Sequence, residues 1–226
     1  MDEELAKGAH SKADAVYGAL KEAILTGELE PGRPIDKTAI CKKLAVSRYP
    51  VSAAVSRLAY DRLVDVAPQH GSFVSRISIK DVRDRLFIRN ALEGEIAAEA
   101  ARRMDVADKG ALTANLKESK RAVEAHDRSS FYATDVAFHQ ILSARLGMVR
   151  ASEVLDGLRV HLERVRRLLM TPPGRIRETL REHEAIVVAI EVGDPEAARE
   201  AMRRHLGSTG ELLEEVASRR PEMFSP

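Results

Sequence analysis

Apolar residues recur at helical spacing along most of this chain. From Ser11 to Thr26, Ala15, Val16, Ala19, Leu20, Ala23 and Ile24 form one stripe of an amphipathic helix. Ser11 can cap its start and Gly27 stands where a helix ends, while residues 1–10 are polar and expected to fray. Pro31-Gly32 and Pro34 force a loop. Asp36 then caps a short helix through Leu44, Ala45-Val46-Ser47 makes a tight turn, and Ser47 caps a second helix to about Tyr60. Val51, Val55 and Leu58 are its inward residues. The pattern then shortens to two β-type runs, Leu63–Val66 and Ser72–Ser75, around the turn residues Pro68-Gln69-His70-Gly71. Three helices followed by a hairpin are the order of a winged helix-turn-helix.

After the connector Ile77-Ser78-Ile79, helical periodicity takes over. The spacing predicts helices over about 80–103, 107–126, 129–146, 148–170, 174–192 and 195–217. Breaks fall at Met104-Asp105, near Asp127, at Gly147, at Pro172-Pro173-Gly174 and at Gly193-Asp194-Pro195. Striped helices with short connections imply an antiparallel bundle of six or seven helices, and the tail from Ser218 reads as loose. The fold class is therefore mainly α, with residues 1–76 a DNA-binding domain and 77–226 an all-α domain.

Composition narrows the function without naming it. The chain of 226 residues is 44% hydrophobic and 31% charged, which makes it globular, and its formal charge is only +1. Any basic surface must then be local, and one is: after Asp36, the stretch to Arg62 holds Lys37, Lys42, Lys43, Arg48, Arg57 and Arg62 against the single acid Asp61. A solvated basic face is the bland reading. The surrounding helix-turn-helix and wing turn it toward double-stranded DNA. One cysteine, Cys41, excludes an internal disulfide. No run approaches the length of a membrane span, and the acidic start Met-Asp-Glu-Glu lacks a signal-peptide pattern, so a cytoplasmic protein is expected. No P-loop, nucleophile elbow or dinucleotide-binding glycine fingerprint is present.

The chemistry concentrates in the helical region. Asp135 and His139 are four residues apart, which puts a carboxylate and an imidazole on one helix face. A bundle can bring His183 and His205, each in the middle of its helix, to the same level. Those four would make a three-histidine, one-carboxylate set for a borderline divalent ion: zinc first, nickel or manganese behind it. The competing reading is four polar residues on solvated faces, which the flanking Glu182, Glu184 and Arg204 would suit. A metal with open positions could also activate water, with Glu182 or Glu184 as nominal base, although no catalytic motif accompanies them.

The stretch Leu44-Ala-Val-Ser-Arg-Tyr-Pro-Val-Ser-Ala-Ala-Val-Ser-Arg-Leu58, followed by Leu63-Val64 and Pro68-Gln-His-Gly-Ser-Phe-Val74, resembles the GntR-type bacterial transcription regulators. With Arg89-x-x-Leu92-Glu93, Asp135-x-x-x-His139, His183 and His205, the resemblance extends over about residues 12–217 to the FadR subfamily with an FCD-type ligand-binding domain. It implies that the helix from Ser47 enters the major groove, where Arg48 reads base edges with Ser47, Tyr49 and Ser52 beside it. It implies that His70 and Gly71 approach the minor groove or backbone, that Arg57 is a phosphate contact or a helix-surface residue, and that Thr38 stands at a DNA-contacting position, while Lys37, Lys42 and Lys43 can recover phosphate affinity. It further implies that Asp135, His139, His183 and His205 hold a metal, that Arg89 pairs with an effector carboxylate, and that a homodimer binds a palindromic operator. The chain departs from the family at Ser52 and Thr38, where arginines are usual, so direct base readout rests more heavily on Arg48.

The expected function is thus a repressor-type transcription regulator that senses a small organic acid through a bound divalent metal, and not an enzyme. The alternatives are the same DNA module sensing a metal-independent or lipidic ligand, and a metal-dependent enzyme fused to a DNA-binding domain.

Overall fold

The structure, a computed structural model, describes residues 2–169 and 174–225. It divides into two compact units, residues 1–79 with 217–226 and residues 80–216.

The first unit is a winged helix-turn-helix. Its helices are α1 (Asp2–Thr26), α2 (Lys37–Leu44) and α3 (Arg48–Tyr60). Helix α1 begins well before Ser11, at Asp2, and Glu3–Ala6 is a run of good helix formers. Helices α1 and α3 pack against each other, and Leu20 and Ile24 of α1 and Val51, Val55 and Leu58 of α3 are all buried. Helix α2 buries nothing, so local bonds hold it: Asp36 Oδ1 accepts from the N–H groups of Thr38 (2.8 Å) and Ala39 (2.9 Å). The turn into α3 runs through Ala45 in the left-handed region at φ 51°. Ser47 occupies the N-cap position of α3 but its side chain makes no capping bond.

Strand β1 (Val64–Ala67) pairs antiparallel with β2 (Gly71–Val74), from Val64 opposite Val74 to Ala67 opposite Gly71. Gly71 sits at φ 114°, where a side chain would be strained, and so closes the wing. The C-terminal tail is not loose. A 3-10 turn at Pro221–Met223 leads to β4 (Phe224–Ser225), which pairs parallel with β3 (Ile77–Ser78). Met223 and Phe224 are buried and Arg220 bonds Glu30 at 3.0 Å, which offsets the entropy of ordering the tail.

The second unit is built from α4 (Ile79–Arg103), α5 (Val106–Glu124), α6 (Arg128–Arg145), α7 (Val149–Leu169), α8 (Arg175–Val192) and α9 (Pro195–Arg219). The breaks follow from capping chemistry. Asp105 accepts from the Asp108 N–H (2.8 Å) and Asp127 from the Ser130 N–H (3.0 Å), while Gly193 ends α8 at φ 74°. Met170 and the Pro172-Pro173 break lie outside the described residues. Ile96, Ala97, Ala100, Leu112, Phe138, Leu142, Ile186, Ile190, Met202 and Leu206 form one core spanning α4, α5, α6, α8 and α9. Ile190 is fully buried there. Ile190→Ala should cost about 3 kcal/mol by lost transfer and an unfilled cavity, read as a lower urea midpoint at unchanged m-value.

Candidate functional site

In the DNA-reading unit the expected contact residues lie on exposed or half-buried positions of α3, its cap, α2 and the wing. Arg48 is the first residue of α3 and exposed, Tyr49 beside it is 71% exposed, and Ser47 precedes them at the cap. Ser52 lies one turn on and is half-buried. Thr38 is exposed and Lys37 half-buried at the start of α2, and His70 and Gly71 form the exposed wing tip. Arg57 is different. Its guanidinium lies 4.0 Å over the Tyr17 ring and bonds Asp14 at 2.8 Å, while Tyr17 Oη donates to Asp61 Oδ2 at 2.5 Å. Arg57 therefore ties α3 to α1.

In the helical unit, α6 supplies Asp135 and His139, α8 supplies His183 and α9 supplies His205. One ligand atom from each lies within 4.8 Å of the others, and all four residues are buried. The solvated reading therefore fails: Glu184 and Arg204 flank the set from outside, while the imidazoles turn inward. His205 Nε2 lies 3.3 Å from His183 Nε2 and 3.3 Å from His139 Nε2, and His183 Nε2 lies 3.5 Å from Asp135 Oδ1.

The partners on the far side of the rings decide what this convergence means. His139 Nδ1 pairs with Glu93 Oε2, and Glu93 Oε1 accepts from Arg89 Nε at 2.5 Å. His205 Nδ1 bonds Glu182 Oε2 at 2.7 Å, and Glu182 is held by both Nη atoms of Arg175 (2.9 and 3.0 Å) and by Ser208 Oγ at 3.2 Å. An imidazole donating from Nδ1 to a carboxylate carries its lone pair on Nε2. With their outer nitrogens against carboxylates, His139 and His205 turn their Nε2 atoms toward each other at 3.3 Å, the side from which a neutral ring would offer its lone pair to a cation. Tetrahedral ligands at about 2.0–2.1 Å from a zinc ion stand about 3.3–3.4 Å apart. His183 stacks on Phe138 (centroids 3.9 Å, 12°), which orients its ring, and its buried Nδ1 makes no hydrogen bond.

Electrostatics agree. Burial pushes the His139 pKa down to about 4 against the pull of Glu93, and burial with His205 and His139 nearby holds His183 well below its ordinary value. Both rings are neutral near pH 7, as metal ligands must be. Burial tends to raise the Glu93 carboxyl, but Arg89 and His139 outweigh it and keep Glu93 ionised. The residues present therefore fit a divalent cation.

A cavity of about 170 Å³ opens beside the cluster between α4, α6 and α7. Its wall includes Arg89, Glu93, His139, Arg159, Glu163 and Arg166. Arg166 also ion-pairs with Asp135 Oδ2. Arg89 reaches this wall as expected, yet it is bonded to Glu93 and thereby also braces His139. Sequence reasoning missed Arg166, Arg175 and the bracing roles of Glu93 and Glu182. A signal existed for one pair: Arg175 and Glu182 are seven residues apart on one helix face.

A winged helix-turn-helix joined to a helical unit with an interior ligand set and adjoining cavity defines the class of DNA-binding regulators with a sensor domain. Residues 12–74 match the bacterial regulatory proteins of the gntR family and residues 84–208 match the FCD domain. The chain belongs to the GntR family of transcription regulators, with an FCD-type C-terminal domain. It is 30% identical over 213 residues to the HTH-type transcriptional repressor RspR of Escherichia coli K12, covering 93% of this chain and 92% of that one. It is 34% identical over 211 residues to an HTH-type regulator in an unstable DNA locus of Streptomyces ambofaciens, covering 93% and 88%. A GntR-type regulator structure from Rhodococcus sp. RHA1 superposes with a TM-score of 0.74 at 23% identity, over 91% of this chain and 98% of that one, and shares the fold. The protein is therefore a DNA-binding transcription regulator, and its families are those of regulators rather than enzymes. No described helix is long and apolar enough to cross a membrane.

Glu182→Gln keeps the size of the side chain but loses the charge that braces His205. Zinc affinity should fall about 10–100-fold, measured by competition with a chromophoric chelator.

Proposed function

We propose that this protein is a repressor whose helical unit senses a small organic acid through a bound divalent metal, and that it works as a homodimer on a palindromic operator. The observation that carries the reading is the convergence of three imidazole Nε2 atoms and Asp135 beside a cavity whose wall includes Arg89, Arg159 and Arg166. Asp135, His139, His183 and His205 would hold the ion, zinc before nickel or manganese on the donor set. The ion would supply a Lewis-acidic position for an effector oxygen. The chain supplies the rest: Glu93 and Glu182 fix the two imidazoles, Phe138 orients His183, and Arg89 and Arg166 present positive charge to an acid in the cavity. A switch follows only if the acid binds the DNA-competent and incompetent states unequally.

On the DNA side, Arg48 at the start of α3 is the base-reading residue, with Ser47, Tyr49 and Ser52 around it. His70 and Gly71 touch the flanking groove, and Lys37 and Thr38 contact phosphates. Repression is supported by the name of the Escherichia coli relative, a transcriptional repressor. The charged cluster and the arginine-bearing cavity wall favour this reading over a lipidic or metal-independent ligand.

Arg48→Ala should weaken binding to an operator fragment selected by the wild-type protein by about 1–3 kcal/mol, measured by fluorescence anisotropy, with fold and zinc content unchanged. Equal operator affinity in the variant would remove Arg48 from the reading surface.

A further inference from the structure

The chain passes between its two units twice, at residues 79–80 and at residues 216–217. Each crossing lies within a helix: α4 starts at Ile79 and α9 runs through to Arg219. Both helices serve the interior cluster, since α4 carries Glu93 against His139 and α9 carries His205. The two crossings are tied to each other on either side of the boundary. In the helical unit, Arg83 Nε of α4 donates to Glu214 Oε1 of α9 at 2.9 Å. In the DNA-reading unit, β4 pairs with β3, with Phe224 opposite Ile77 and Ser225 opposite Ser78. The entry to α4 and the continuation of α9 are thereby held together.

Residues 220–225 also reach the part of the DNA-reading unit that borders the wing. Arg220 Nη2 donates to Glu30 Oε1 at 3.0 Å, and Met223 and Phe224 are buried. A methyl group at Gly32 would meet the Glu222 carbonyl oxygen at 3.8 Å, so the segment lies against the loop that holds Glu30 and Gly32. That loop is bonded to β2. The Gly32 N–H donates to the Val74 carbonyl (2.7 Å), the Val74 N–H to that of Arg33 (2.9 Å) and the Ile35 N–H to that of Ser72 (2.8 Å). Next in the chain comes Asp36, the cap of α2. A strand pair of two residues is weak by itself, and a segment held by so few contacts opens at a lower cost than the α1–α3 core.

We propose that residues 220–225 are a strap that couples the helical unit to the DNA-reading unit. Docked, the strap holds loop 30–35 against β2 and keeps the wing and the start of α2 in the arrangement that binds operator. A change in α9 on ligand binding acts on the strap, and through it on the wing. The inference goes beyond the ligand reading above, because it needs only a helical unit that responds to a ligand, whichever ligand that is. By linkage, operator binding must act back on α9 through the same strap.

Hydrogen exchange of the full-length protein, with and without an operator fragment selected by the wild type, tests this. At saturating operator, the amides of residues 208–216 of α9, which lie in the helical unit, should exchange about five-fold more slowly in the wild type. A chain ending at Arg219 should lose that protection and bind operator about five-fold less tightly, with its helical content otherwise retained. Phe224→Ala, which keeps the chain but removes the buried ring, should show the same two losses and stands in if the shortened chain fails to fold. Absence of operator-dependent protection in wild-type α9 overturns the proposal. So does protection that survives in a folded strap variant, or a strap variant that binds operator as tightly as the wild type.

Discussion

Three histidine rings whose inner nitrogens converge inside a helical bundle are the constraint on which this structure turns. Glu93 and Glu182 lie against the outer nitrogens of His139 and His205, and the inner nitrogens of the two rings meet 3.3 Å apart. Each of these carboxylates has an arginine behind it to keep it in place. Such an arrangement makes sense as a preformed cation site. It also explains why polar residues can sit among Ile186, Ile190 and Leu142: nearly every one of them has an ionic partner.

The bundle exists to hold this geometry. Four helices contribute ligands or braces, and their register is set by a core in which Phe138, next to His139 in sequence, stacks on His183. A shift of one residue in α6 would turn both Asp135 and His139 away together, since they share a face. The DNA-reading unit follows a different plan. Its small core lies between α1 and α3, and Tyr17, Arg57, Asp14 and Asp61 tie the same two helices at the surface. That leaves Arg48 and Tyr49 exposed at the start of α3.

Much of this was legible in the sequence because the signals were local. Asp36, Asp105 and Asp127 announce helix starts, Gly193 an end, and the apolar stripes give each helix its face. The meeting of the four residues was legible because Asp135 and His139 are one turn apart and His183 and His205 are mid-helix. What was not legible depends on long-range pairing. Arg166 meets Asp135 only when α7 lies against α6, and Glu182 reads as a solvated flank until Arg175, Ser208 and His205 close around it. The tail misled for the same reason, because nothing near Phe224 in sequence shows that it pairs with Ile77. Nor does anything near Arg57 in sequence show that it pairs with Asp14 of α1.

The central claim is that Asp135, His139, His183 and His205 form a cation site and not a buried polar network that merely packs. Metal content settles this directly, measured by elemental analysis of protein purified without chelator and then dialysed against zinc. The account predicts one zinc per chain in the wild type and none in the His183→Ala, His205→Ala double variant, with the helical content of both retained. Stoichiometric zinc in the double variant, or a folded wild type that holds none, would contradict it.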